Sequence, residues 1–214
     1  MIDKLVQLDT AITLGINGSE SSMMDYVMLI ITSTVAWIPL GVFVLWHVYK
    51  NYGTKTLLYV LLGMGLCIFA ADMISSGIVK PLVARWRPTR DPGLMYVVDV
   101  VNGYRGGRYG FFSSHAANTM SVAVFLCMFF RKKIITGLFI FWSLLNCWSR
   151  IYLGVHYFGD VVVGILCGLI VGWCVYKLYR RIGGQNANTD SYPVAVACML
   201  TYVCILLVAP FMAA

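Results

Sequence analysis

The sequence predicts an all-α fold: a bundle of six transmembrane helices, with an interfacial helix in front of it and one long polar loop within it. The chain has 214 residues, of which 60% are apolar and 12% charged, whereas a soluble domain has roughly 45–50% apolar residues. The apolar residues fall into six blocks, each close to the roughly 20 residues that cross a bilayer as a helix. A polar stretch, residues 81–114, separates the second block from the third.

The N-terminal segment lacks the basic head and apolar core of a secretory signal peptide. Its apolar residues indicate a short helix lying at the membrane surface; they are Ile2, Leu5, Val6, Leu8 and Ile12. The predicted spans are residues 25–49, 54–80, 115–131, 133–153, 158–180 and 192–214. We expect a single integral-membrane domain over residues 1–214, since the sequence has no internal repeat and no low-complexity tract.

Six spans place both termini and the long loop on the same side of the membrane. Lysine and arginine are divided equally between the two sides, eight and eight, so their number alone does not orient the chain. The clusters at 131–133 and 180–181 adjoin span ends, where positive charge acts most strongly on orientation. We therefore expect these clusters in the cytoplasm and the long loop outside it, in a cytoplasmic (inner) membrane.

The formal charge of +7 is typical, in a membrane chain, of orientation signals or of a site for anions. We predict no nucleic-acid partner. The seven cysteines all lie inside apolar runs without metal-ligand spacing, and we expect neither a metal nor a cofactor.

Three polar patches lie at span ends on the predicted outer side. They are KPLVARWRP at residues 80–88, FFSSHAAN at 111–118 and SRIYLGVHYFGD at 149–160. Because all three lie at the same end of one bundle, the fold can bring them together.

The patches combine fixed cations with two histidines and one carboxylate, which suits a phosphate group. Arginine binds phosphate oxygens with a two-pronged fork, lysine adds a point charge, and a helix N-terminus supplies N–H donors. One histidine can attack phosphorus, and a second can protonate the leaving oxygen and then activate water. Asp160 follows His156 by four residues, so on a helix both side chains face the same way and the carboxylate can orient the imidazole.

The three patches resemble the motifs of the type 2 phosphatidic acid phosphatase superfamily of membrane lipid phosphate phosphatases. These motifs read K-x6-RP, PSGH and SR-x5-H-x3-D. The first and third are matched in full by Lys80, Arg87, Pro88, Ser149, Arg150, His156 and Asp160. In the second motif Phe112 and Ser114 stand in place of proline and glycine, while Ser113 and His115 are kept. The resemblance covers a motif core of roughly residues 54–180.

The resemblance implies a metal-independent phosphatase that acts through a phosphohistidine at the outer face of the membrane. His156 would be the nucleophile, Asp160 its partner, and His115 the acid and base. The residues implied to hold the phosphate are Lys80, Arg87, Ser113, Ser114 and Arg150. The substrate would be a membrane lipid phosphate, with undecaprenyl diphosphate favoured because the small chain is similar to bacterial members. Lipid A phosphates, phosphatidylglycerol phosphate and phosphatidic acid are alternatives.

An anion transporter is a hypothesis of another class, but it does not account for two histidines and an aspartate at this spacing. Asp72, inside the second span, is expected to be either functional or a buried partner for an Arg or Ser of a neighbouring span. The remaining loop arginines are expected to bind a lipid headgroup or to be solvated, with Arg105 and Arg108 favoured as headgroup ligands.

Overall fold

The computed structural model describes residues 2–213, and these residues form an all-α fold, as predicted. The helices are α1 (Ile2–Ile16), α2 (Ser22–Thr32), α3 (Thr34–Asp72), α4 (Lys80–Val83), α5 (Ser114–Phe130), α6 (Lys133–Tyr152), α7 (Phe158–Arg181) and α8 (Tyr192–Ala213). A π-helical segment, Met73–Val79, joins α3 to α4. Within the described chain no strand forms, and Trp86 and Tyr109 make an isolated bridge pair.

Four helical segments of residues 2–213 are long and apolar enough to cross a membrane, namely Thr34–Val83, α6, α7 and α8. The predicted span over 25–49 is divided, because α2 ends at Thr32, Ser33 is extended and α3 begins at Thr34. Hydroxyl side chains compete for backbone hydrogen bonds and favour helix ends. The predicted span over 115–131 corresponds to α5, which has 17 residues. The number of spans, six, stays a prediction.

Gly53 divides α3 into two parts that lie side by side. Its φ of 77° falls in the left-handed region that glycine adopts without a steric penalty. Leu40 from the first part and Met64 from the second line the same cavity. The chain therefore reverses at Gly53, within the link that the sequence predicts between residues 49 and 54.

Helices α5 and α7 pack backbone against backbone along a row of glycines on α7. A Cβ atom at Gly164 would lie 2.6 Å from the carbonyl oxygen of Ser113, and one at Gly172 would lie 2.5 Å from that of Ser121. Gly168 makes the same close approach between them. Small residues at every fourth position allow such contact between membrane helices. This packing holds the start of α5 against the start of α7.

Helix α1 docks across the N-terminal end of α7. Asp9 accepts a hydrogen bond from the backbone N–H of Gly159 at 2.6 Å, and Thr13 accepts one from that of Phe158 at 3.0 Å. These two side chains satisfy N–H groups that have no partner within α7. Helix α1 also exposes the apolar side chains of Leu5 and Leu8, which fits the predicted interfacial helix.

The long loop, residues 84–113, folds over the same end of the bundle. It begins three residues later than predicted, because helix continues through Lys80 to Val83. The backbone N–H of Thr89 donates to Gly154 at the end of α6. Arg105 donates to the carbonyl of Thr89, and Arg108 stacks on the ring of Trp86. The arginines favoured as headgroup ligands therefore help to hold the loop together.

Candidate active site

His156 and Asp160 form a buried pair at the turn between α6 and α7. The Nδ1 atom of His156 lies 3.4 Å from Oδ2 of Asp160, a long hydrogen bond. The same oxygen accepts from the backbone N–H of Tyr157 at 3.1 Å. His156 is 1% exposed and Asp160 is completely buried. The Asp160 carboxylate thus contacts Nδ1 of the imidazole and does not contact Nε2.

That other nitrogen, Nε2 of His156, faces Arg87. The Arg87 guanidinium lies 3.3 Å from Nε2 and also donates to the carbonyl oxygens of Val155 and Tyr109. Arginine has only donors, so the contact requires an unprotonated Nε2. With the proton on Nδ1, beside Asp160, the Nε2 lone pair is directed into the site.

The electrostatics of the site favour this neutral imidazole. Burial lowers the pKa of His156 well below its ordinary value of 6.5, and the positive charges of Arg87, Arg150 and Lys80 lower it further. A neutral ring with a free lone pair is the nucleophilic form of histidine.

Lys80 connects the first patch to the second. It follows the π-helical segment directly, and its Nζ donates to Ser114 at the start of α5, at 3.0 Å, and to Ser76, at 3.2 Å. Ser76 in turn donates to Asp72 at 3.0 Å. The expectation of a buried Asp72 paired with a neighbouring span is wrong, since Asp72 is exposed and its partner is four residues along the same helix.

The start of α5 brings the second patch to the third. Ser113 is the N-cap of α5: its hydroxyl accepts from the N–H of Ala116, and its own N–H donates to the carbonyl of Asp160. His115 is the second residue of the helix, with Nε2 3.3 Å from Oδ1 of Asn146 on α6. Asn146 was not among the residues that the sequence motifs indicated. Its polar side chain in an apolar span, one helical turn before Arg150, is the signal that could have indicated it.

Arg150 lies at the end of α6 and is 6% exposed. It donates to the hydroxyl of Thr32 at 2.6 Å and to that of Tyr104 at 2.9 Å. Its Nε is buried without a hydrogen-bond partner. Both of these hydrogen bonds come from Nη1, which is therefore anchored, while Nε remains available for an acceptor.

The cations around His156 share one property. Among residues 2–213, Lys80, Arg87 and Arg150 have no carboxylate within ion-pair distance. Burial and the charge of Arg150 lower the pKa of Arg87 to about 10, which reflects crowding of like charges. Buried charges without counterions are unfavourable, so the arrangement suits an anion that would neutralise them.

Arg85, another arginine of the long loop, forms ion pairs with two carboxylates. It donates to Oδ1 of Asp160 at 2.9 Å and to Oδ2 of Asp9 on α1 at 2.7 Å. From the sequence, Arg85 was expected to bind a lipid headgroup or to be solvated, and Asp9 was given no role. No short-range pattern links them, since 76 residues separate the pair.

A largely apolar cavity of about 330 Å³ reaches the site from inside the bundle, between the two parts of α3, α5 and α6. His115 forms part of its wall, and Leu40, Met64 and Val122 contribute apolar surface. Oδ1 of Asn118 is a lining polar atom that is buried without a hydrogen-bond partner. The cavity can accept the hydrocarbon part of a ligand whose polar group contacts His115.

The described residues contain no group of three or more His, Cys, Asp or Glu side chains placed to hold a metal ion.

Comparison with known proteins identifies the family. A model of the PAP2 superfamily matches residues 56–183. The chain is 37% identical to the lipid A 4'-phosphatase of Bacteroides thetaiotaomicron, over 90% of this chain and 86% of the relative. It is 35% identical to the lipid A 4'-phosphatase of Porphyromonas gingivalis, over 91% and 84%.

A solved structure has the same fold. The transmembrane PAP2-type phosphatidylglycerolphosphate phosphatase of Bacillus subtilis superposes with a TM-score of 0.63 at 24% identity, covering 84% of this chain and 88% of the other. The apolar helices and these relatives indicate a multi-pass membrane protein. With a family match over more than half of its length, the chain belongs to the PAP2 superfamily.

Proposed function

We propose that this chain is a membrane lipid phosphatase that hydrolyses a phosphate ester through a phosphohistidine on His156. The observation that carries the proposal is a set of three cations, Lys80, Arg87 and Arg150, that have no carboxylate partner among the described residues and whose charges act on the unprotonated His156. A phosphate dianion would neutralise these charges and present its phosphorus to Nε2.

The proposed reaction has two steps. In the first, Nε2 of His156 attacks phosphorus, the bond from phosphorus to the lipid oxygen breaks, and His115 protonates that oxygen. In the second, His115 removes a proton from water, the water oxygen attacks phosphorus, and inorganic phosphate leaves Nε2. Asp160 holds the Nδ1 proton throughout, and the Ser113 and Ser114 region adds donors at the start of α5.

We propose a lipid A 4'-phosphate as the substrate. The support is the identity of 35–37% to two relatives of that name. The apolar cavity beside His115 adds support for a lipid, because His115 is the proposed donor to the leaving oxygen and the lipid part lies beyond it. The relatives do not favour undecaprenyl diphosphate, the first choice from the sequence, which becomes the second candidate.

For the whole chain we propose one domain, residues 1–214, with a motif core at 54–180 and six membrane crossings. In this arrangement α2 and the first part of α3 form the first crossing, and Gly53 precedes the second. The site would face the periplasm from a cytoplasmic (inner) membrane, with α1 at the interface. Basic clusters at 131–133 and 180–181 support this orientation.

The test is a phosphate-release panel with purified protein in detergent, with and without EDTA. Its substrates are lipid A, undecaprenyl diphosphate, phosphatidylglycerol phosphate and phosphatidic acid. We expect lipid A to be hydrolysed fastest and EDTA to have no effect. Faster release from another lipid would change the substrate, and loss of activity in EDTA would contradict metal independence.

His156→Ala should reduce release by roughly four to six orders of magnitude, as loss of a nucleophile does. His47→Gln is the matched control, since His47 packs against Phe130 at the far end of α5. Quenching at alkaline pH should trap phosphate on the wild-type protein and none on His156→Ala. If no phosphate is released from any lipid, the proposal is refuted and the anion transporter remains as the alternative hypothesis.

A further inference from the structure

Both carboxylate oxygens of Asp160 make polar contacts, and they make them with different groups. Oδ2 receives the N–H of Tyr157 and faces Nδ1 of His156, whereas Oδ1 receives the guanidinium of Arg85 at 2.9 Å. A carboxylate held at one oxygen can still rotate. Anchoring Oδ1 therefore fixes which direction Oδ2 faces, and with it the orientation of the imidazole ring.

Arg85 itself is held from the opposite side. Its second terminal nitrogen donates to Asp9 of α1 at 2.7 Å, and its guanidinium stacks on the ring of Tyr157 at 3.8 Å. The Arg85 side chain is 26% exposed and that of Asp9 is 15% exposed. The guanidinium is thus clamped between two carboxylates and an aromatic face, contacts that its planar fork of donors suits.

Asp9 connects this clamp to the backbone that carries the catalytic pair. Its other oxygen accepts from the N–H of Gly159, the residue before Asp160. Helix α1 therefore contacts both the side chain that anchors Asp160 and the first turn of α7. It lies outside residues 56–183, the part of the chain that matches the family model.

We propose that Arg85, held by Asp9, is a positioning residue for Asp160 and through it for His156, so that α1 is a working part of the catalytic unit. The inference rests on the proposed function. Arg85 acts only on the orientation and charge of the pair, because its donors go to the two carboxylates rather than into the phosphate site. Its loss should therefore slow the chemical step without weakening phosphate binding.

The experiment compares Arg85→Gln, Arg85→Lys and Asp9→Asn with the wild type, using kcat, KM and the inhibition constant of inorganic phosphate. We expect Arg85→Gln to lower kcat roughly tenfold to a hundredfold, the usual effect of losing a partner that orients a site residue. KM and the phosphate inhibition constant should stay unchanged. Arg85→Lys, which keeps the charge, should recover part of kcat.

Asp9→Asn keeps an oxygen for the N–H of Gly159 while removing the charge that holds Arg85, so it should fold and show a smaller loss of kcat. The double variant Asp9→Asn/Arg85→Gln should be no slower than Arg85→Gln, because Asp9 acts through Arg85. Arg90→Gln and Asp3→Asn, exposed residues of the same loop and helix, are the matched controls.

Three results would overturn the inference. One is a kcat for Arg85→Gln equal to that of Arg90→Gln. Another is a double variant whose loss is the product of the single losses. The third is a phosphate inhibition constant that rises together with the fall in kcat, since this would indicate general disruption of the site. If Arg85→Gln does not fold, Asp9→Asn decides by the same comparison with Asp3→Asn. If the wild type releases phosphate from none of the lipids, the proposed function itself is refuted instead.

Discussion

The guanidinium of Arg87 and the Nε2 atom of His156 lie 3.3 Å apart, with the arginine donating toward the nitrogen that would attack phosphorus. A phosphate placed there would take over this donor, because its oxygens are stronger acceptors than a neutral ring nitrogen. Arg87 would then hold the phosphate against the lone pair that it keeps oriented beforehand.

We therefore predict that Arg87→Gln lowers kcat/KM roughly tenfold to 150-fold, the equivalent of about 1.5–3 kcal/mol for a hydrogen bond to a charged group. Arg87→Lys should recover little of this, because lysine lacks the planar fork that can bind two phosphate oxygens at once. Steady-state hydrolysis of the preferred lipid measures both. Arg108→Gln, in the same loop and stacked on Trp86, is the control, and equal rates for the two glutamine variants would contradict the prediction.

The pH dependence should follow the lowered pKa of His156. Protonation removes the nucleophilic lone pair, and the pKa lies well below 6.5, so activity should persist as the pH falls to and below 6.5. Arg87→Gln removes one of the charges that lower the pKa, so the acid limb of its kcat/KM profile should move to higher pH. The substrate titrates identically in both profiles. Unshifted limbs would show that the acid limb does not report His156.

The close contact of α5 with α7 predicts that Gly164→Ala is harmful. Its Cβ would lie 2.6 Å from the carbonyl oxygen of Ser113 and would force the two helices apart, which costs about 1–3 kcal/mol. Both the thermal midpoint in detergent and the rate of hydrolysis should fall. Gly137→Ala on α6 is the matched control, because a Cβ there meets nothing within 4 Å. Equal midpoints for the two variants would contradict this packing.

The cavity beside His115 predicts a change in substrate preference. Val122→Phe adds a ring to the cavity wall, so kcat/KM for a long-chain lipid phosphate should fall while that for water-soluble p-nitrophenyl phosphate stays the same. Leu144→Phe, on the exposed face of α6, should change neither. A parallel loss on both substrates would mean that the ring disturbs the phosphate site rather than the lipid site.

Sequence patterns predicted which polar residues would meet, because each patch lies at a span end on one side. Lys80 with Ser114 and Arg87 with His156 are in contact as that logic requires. The division of the first span at Ser33 was missed. The break comes from hydroxyl side chains that compete locally for backbone hydrogen bonds, and this competition does not interrupt the run of apolar residues from which the span was predicted. The role of Tyr104 beside Arg150 was also missed, because loop geometry alone brings them together.

The clamp formed by Asp9 was beyond the reach of sequence patterns for another reason. On a surface helix, an acidic residue among apolar ones fits an ordinary solvated face equally well. Asp9 differs from Asp3 only through its tertiary contacts with Arg85 and with the first turn of α7.

The contact between Asp9 and Gly159 joins positions 150 residues apart, and this separation has a consequence for biosynthesis. While the helices before α7 are being translated, α1 has already been made, but the first turn of α7 that Asp9 contacts does not yet exist. Asp160, which under the proposed function orients the attacking imidazole, appears only with α7. Under that function the nascent polypeptide cannot hydrolyse its substrate until translation reaches the final quarter of the sequence.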